Sequence, residues 1–290
     1  MSRNSELQLG KRHIADYGTY YKGVVKTEDR EIPISFRQPT DETNRLNSIY
    51  VLATGIMSPK STMRLFSHEA VRYGHTAVAL DYTNTWIKHP LESNAADIAT
   101  VIDALPEDLT RRAVGWSMGG AALTMALLEV ESTIESATFV SPAKYIISKN
   151  GHVEFIPSLT STVPEGINLL LTKPDKAFRL GLSTALTLAR RPLAVHGEIR
   201  DLSAGTVHDM LHAVKAAPNA PHLRLMYGRH DRLIHPKGLE EAAMLLPFDE
   251  VEAYDGGHFS LVHDPECAHR ILELDRQMAT RAIASSSQPL

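Results

Sequence analysis

A mostly parallel, doubly wound α/β sheet with helices on both faces is predicted for this chain of 290 residues. Two observations carry the prediction. Short apolar runs alternate with amphipathic stretches across residues 47–141 and again across 221–283. The apolar runs, such as "NSIYVLATG" at 47–55, are nearly continuous, as expected of strands buried on both faces.

The elements follow in chain order. "YKGVVKT" (21–27) and "EIPISFR" (31–37) flank the turn "EDR" and predict a β-hairpin. The strand at 47–55 leads to a helix over Ser61–Tyr73, and "HTAVALDY" (75–82) is the next strand. "SNAADIATVIDAL" (93–105) predicts an amphipathic helix with Ser93 as its N-cap. "RRAVGWS" (111–117) is a strand that runs straight into a helix over 118–130, and 134–141 is a further strand. The alternation breaks at 142–200, where Gly, Pro and Ser clusters surround one apolar helix, 174–190. This segment is read as a lid or cap inserted between two parts of the core, 1–141 and 201–290. The alternative is a decorative insertion packed on one flank. Strand 221–228, a helix over Pro236–Leu246, strand 249–257 and a long helix over Pro265–Ile283 complete the core, before a frayed Ser/Gln/Pro tail.

Composition narrows the function classes. Thirty basic against 34 acidic side chains give a formal charge of −4, with no basic block and no aromatic–basic interleaving. Nucleic acid is therefore not an expected partner. Cys267 is the one cysteine, which excludes an internal disulfide and permits a reducing compartment. The N-terminal stretch lacks the apolar core of a signal peptide, and the longest apolar stretches are too short or interrupted to span a bilayer. A cytoplasmic protein with no membrane partner is expected. The oligomeric state is left open, with a homodimer among the options.

Three side chains, each at the end of a later strand, can carry chemistry. In "GWSMGG" (115–120), Ser117 stands between an apolar strand and a helix, flanked by glycines that relieve a tight turn. It reads either as a nucleophile or as a helix N-cap. Asp231 lies in the loop after strand 221–228, as the acid of a triad, a turn former, or an ion-pair partner of Arg229 or Arg232. His258 follows two glycines after the last strand, 27 residues beyond Asp231, enough for one helix and one strand. It is preferred as base to nearby His263, because Gly256 and Gly257 leave it room to reach the serine. Acyl transfer by a serine needs this set: a base, an acid to orient the base, and donors for the oxyanion.

The order Ser, Asp, His, with "GWSMGG", "LRLMYGRHDRLIHP" and "GGHFSLVHDPE", resembles the α/β-hydrolase fold from about Ile49 to Ile283. It is most similar to small ester-cleaving members whose elbow reads G-W-S-x-G-G, such as pimeloyl carrier-protein methyl ester esterases. The resemblance implies that the backbone N–H groups of Met118 and Ile56 bind an oxyanion. Two segments depart from it. "ATGIMSPKS" has Thr54 where the family usually has a histidine, and "DYTNTW" (81–86) lacks the family's glycine-rich turn. Tyr82 or Trp86 then lines the site or fills a loop, and Trp116 and Tyr82 are the substrate-contact candidates.

Other candidates are weaker. His208 and His212 would share one helix face, but no carboxylate or cysteine completes a metal pattern. No phosphate loop or dinucleotide fingerprint is present, so no cofactor or metal is expected. Cys267 reads as packed. The expectation is a serine hydrolase that cleaves a small-molecule ester or thioester through an acyl-enzyme. The apolar residues of 167–190 suggest an aliphatic or aromatic acyl group. Acyl transfer to a carrier or CoA thiol, lactone or C–C hydrolysis, a cofactor-free oxygenase or lyase, and a non-enzymatic receptor are the rivals, because one fold hosts many functions.

Overall fold

A computed structural model of the chain describes residues 5–15, 18–55, 60–80, 90–145 and 207–286. The elements run β1 (Glu6–Ala15), β2 (Gly18–Lys26), β3 (Glu31–Gln38), β4 (Ser48–Ala53), α1 (Arg64–Arg72), β5 (Thr76–Leu80), α2 (Pro90–Asp103), β6 (Thr110–Trp116), α3 (Met118–Glu129) and β7 (Ser136–Val140). Beyond 206 come α4 (His208–Ala216), β8 (His222–Gly228), α5 (Pro236–Leu245), β9 (Glu250–Tyr254), α6 (Ser260–His263) and α7 (Pro265–Ser286). The described strands form one sheet in the order β1-β2-β3-β5-β4-β6-β7-β8-β9. Pairing is antiparallel from β1 to β5 and parallel from β5 to β9.

Period-two alternation along buried strands explains the two layers of core. On β4, Ile49, Val51 and Ala53 face one apolar cluster with α2 and α3, while Tyr50 and Leu52 face the other with α1 and α7. All six residues of β4 and all five of β7 are buried, which is why their sequences read as continuous apolar runs. Between β4 and β6 the chain order reverses, since β5 lies on one side of β4 and β6 on the other. Such a switch point leaves a crevice at the carboxyl ends of the strands, where ligands bind in open α/β sheets.

One expectation is corrected, and one strand was not anticipated. Helix α2 begins at Pro90, so Ser93 lies inside the first turn and is not the N-cap. Proline is suited to the first helical position because its fixed φ matches the helix and its missing N–H would be unpaired there anyway. Strand β1 was not read from the sequence at all. It is a sheet-edge strand carrying Lys11, Arg12 and His13 on exposed positions, so it lacks the apolar pattern of an inner strand. Of the expected lid, residues 142–145 are buried on the core, while 146–206, with the expected helix 174–190, lie outside the described residues.

Candidate active site

The elbow is set by backbone geometry. Ser117 joins β6 to α3 with φ 56° and ψ −122°, a left-handed region that costs a non-glycine residue about 1–3 kcal/mol. It occupies the N-cap position, yet its side chain makes no capping hydrogen bond. A capping serine would instead sit in the extended region and accept from the helix. The turn is held by the Ser117 N–H donating to Val140 O at 3.0 Å, and by Gly120 and Ala143 N–H groups donating to Ser117 O, each at 3.0 Å. Glycine at 119 is required by close approach, since a Cβ there would lie 2.3 Å from Ala53 O and 2.5 Å from Thr54 O. The end of β4 thus touches the start of α3, which brings Gly55 against Ser117. A Cβ on Gly55 would lie 3.2 Å from that of Ser117. Met118 is the first residue of α3, where the backbone N–H has no intrahelical acceptor. Ile56 and Tyr82 lie outside the described residues, as does Trp86.

The acid and base meet. Asp231 Oδ2 accepts from His258 Nδ1 at 2.9 Å, and both residues are buried, at 3% and 4% exposure. Oδ1 accepts from the N–H groups of Leu233 and Ile234, both at 2.8 Å. Asp231 is therefore a turn former as well as the partner of His258, and it makes no ion pair with Arg229 or Arg232. His263 lies at the end of α6. Burial pushes the Asp231 carboxyl up. The charge and hydrogen bond of His258, the Ile234 N–H and the neighbouring Ser141 hydroxyl outweigh it and hold the group below its usual range.

Three residues near this pair were missed by sequence reasoning or read differently. Trp116, read as a substrate-contact candidate, is buried and donates from Nε1 to the His258 carbonyl at 2.9 Å. Its ring lies 5.4 Å from that of His258 and 5.9 Å from that of Phe259. Ser141 follows β7 with φ 42°, is fully buried, and neighbours Asp231 and Tyr254. Tyr254 donates to Gly257 O at 3.3 Å, which ties β9 to the histidine loop, and burial first of all pushes its hydroxyl pKa up. The only signal for Ser141 and Tyr254 in the sequence is their position at strand ends.

The remaining candidates serve elsewhere. His208 opens α4 and its Nε2 bonds Tyr145 O at 2.8 Å, while His212 is exposed. No cluster of three metal-ligating side chains occurs among the described residues. Burial pushes the Cys267 thiol up to about 12, consistent with a packed cysteine. No described helix is long and apolar enough to cross a membrane.

Comparisons with known proteins agree with this architecture. No curated protein is detectably similar in sequence. The structure resembles a hydrolase from Oleispira antarctica at 15% identity, with a TM-score of 0.63 over 83% of this chain and 93% of that one. It resembles a thermophilic esterase from Thermogutta terrifontis at 14% identity, with a TM-score of 0.63 over 85% and 94%. A thioesterase domain from the curacin biosynthetic pathway matches at 15% identity, with a TM-score of 0.59 over 87% and 99%. At such identities these likenesses speak for the fold. The family model of the alpha/beta hydrolase family matches residues 51–271, three quarters of the sequence and the stretch that carries Ser117, Asp231 and His258, and the chain belongs to that family.

Proposed function

We propose that the chain is a serine hydrolase that cleaves a small ester or thioester through an acyl-enzyme intermediate. The observation that carries the reading is the buried Asp231–His258 pair, whose His258 carbonyl accepts from Trp116, the residue before a serine with its backbone at positive φ. Ser117 Oγ attacks the acyl carbonyl while His258 takes its proton. With Nδ1 committed to Asp231, Nε2 is the nitrogen that accepts it. The resulting imidazolium is stabilised by the Asp231 carboxylate. His258 then gives the proton to the departing alcohol or thiol, and water repeats the sequence in reverse to release the acid. The developing oxyanion is assigned to the Met118 and Ile56 N–H groups, the first at a helix N-terminus that favours negative charge. Residues 146–200, the rest of the expected insertion, are assigned as a lid that excludes water from the acyl group, with Tyr82 lining the site. Trp116 is assigned to holding His258 rather than to substrate, because its indole is covered by the histidine loop.

The test is hydrolysis of short p-nitrophenyl esters by the wild type and by Ser117→Ala, with fluorophosphonate labelling alongside. Loss of turnover and labelling in the variant is expected. Equal rates from both proteins would end the serine mechanism. Formation of a new ester or thioester in place of free acid would assign acyl transfer instead.

A further inference from the structure

Away from the catalytic groups, two guanidinium groups converge on one imidazole. Arg37 lies on β3, directly across from Tyr20 on β2, and Arg64 opens α1. Both reach His68, one turn further along α1. Arg64 Nε lies 3.2 Å from His68 Nε2, and Arg37 Nη1 lies 2.8 Å from the same nitrogen. Arg37 Nη1 is also 3.0 Å from Nδ1, so it straddles the ring and is not in line with one lone pair. Burial first, then the two arginines, lowers the His68 pKa to about 4, so the imidazole is neutral at pH 7. A neutral imidazole offers one acceptor lone pair, whereas each guanidinium carries five donors. Two like charges and a surplus of donors therefore meet at one acceptor.

The surroundings do not supply the missing charge. Among the described residues, no carboxylate pairs with Arg37 or Arg64. Glu69, which acts on His68 from the next position of α1, is buried and engaged by Arg72 at 3.0 Å and His269 at 2.7 Å. Arg37 is pinned in place, half-buried, with its guanidinium 5.2 Å from the centroid of the Tyr20 ring. Tyr20 Oη and Ser35 Oγ, 3.2 Å apart, add hydroxyls on the same face of the sheet. Lys22, two residues from Tyr20 on that face, is exposed and adds a third positive charge. Planar, multi-donor guanidinium groups are suited to an oxyanion that presents several oxygens at once.

We propose that Arg37 and Arg64 form a phosphoryl-binding site on the face made by β2, β3 and α1. A phosphate dianion matches the two charges, and its oxygens can bridge both guanidiniums, which a single lone pair of His68 cannot. The shared chemistry is a phosphoryl group, either free phosphate or a small phosphomonoester.

The test is thermal melting of the full chain at pH 7.5 with inorganic phosphate, phenyl phosphate, or chloride at matched ionic strength. Wild type, Arg37→Gln, Arg64→Gln and the double variant are compared. A saturable rise in melting temperature with phosphate, absent with chloride, is expected. Either single variant should bind about tenfold more weakly, the loss of about one charge-assisted hydrogen bond, and the double variant should not respond. Arg64 is exposed, so Arg64→Gln keeps the test valid should Arg37→Gln fold poorly. Phenyl phosphate binding as tightly as phosphate would indicate a phosphomonoester, and weaker binding would indicate the free ion. Equal responses to chloride and phosphate, or a double variant that still responds, would overturn the proposal.

Discussion

The indole Nε1–H of Trp116 is hydrogen-bonded to the backbone carbonyl of His258 at 2.9 Å, and the two rings lie 5.4 Å apart. The residue before the elbow serine therefore holds the loop that carries the histidine. Each end of the proposed proton relay is fixed to the same strand end. Trp116→Phe keeps the ring but removes the donor, leaving a buried carbonyl unpaired at a cost of about 1–3 kcal/mol. We expect kcat on p-nitrophenyl esters to fall about tenfold with KM little changed, because the defect lies in the position of the base. A pure stability role would lower the melting temperature and leave kcat alone.

Asp231 is held charged by His258 and two backbone N–H groups. Asp231→Asn preserves shape but removes the charge and favours the wrong imidazole tautomer. A fall in kcat of roughly 10³–10⁴ is expected, by analogy with other triads. The carboxyl pKa is depressed in the folded state, so its contribution to stability is present above the unfolded pKa of about 3.9 and is lost as pH falls below it. Acid titration of melting temperature on wild type and variant measures this. A variant with unchanged kcat would remove Asp231 from the mechanism.

Below the sheet, at the amino ends of its strands, Asp275 of α7 is fully buried. It accepts from Arg224 Nη1 at 3.0 Å, Tyr50 Oη at 2.6 Å and Ser136 Oγ at 3.1 Å. Asp275→Ala leaves the buried Arg224 guanidinium with Glu250, at 2.8 Å, as its carboxylate partner and strips Tyr50 and Ser136 of their acceptor, and should cost about 1–3 kcal/mol in urea unfolding. Replacing both partners with apolar residues, as in Arg224→Met with Asp275→Leu, should recover most of that loss. A double variant as unstable as the single one would show that the network is needed for packing rather than for charge balance.

His75, buried beside Ser48 Oγ at 2.5 Å, has its pKa lowered to about 4, first by burial and then by Arg112. The unfolded chain binds this proton near pH 6.5 while the folded one does not. Stability should therefore decline as pH falls from about 6.5 to 4, by up to about 3 kcal/mol. His68 acts in the same direction. His75→Gln should flatten this slope in pH-dependent urea melts, and an unchanged slope would assign the effect to other groups.

Much of the fold was legible because buried parallel strands are apolar without interruption. β4, β6, β7 and β8 could be placed within about two residues from that pattern alone. Strand β1 was not, since an edge strand is exposed and its charges mask the period. Helix α2 was found, but its start was misplaced by a serine that looked like a cap when the proline before it was the better signal.

By itself the sequence determined the order Ser117, Asp231, His258, each at the end of a later strand, because strand periodicity and turn glycines are local properties. Which side chain meets which was decided only by tertiary structure. Asp231 could have been a turn residue or an ion-pair partner, and it joins His258 because parallel β8 and β9 align Gly228 with Tyr254 and bring their loops together. The tie from Trp116 to His258 spans 142 residues of chain, and the Arg37–His68–Arg64 cluster joins a strand to a helix. Contacts of that separation depend on how the sheet is wound. No local pattern encodes them.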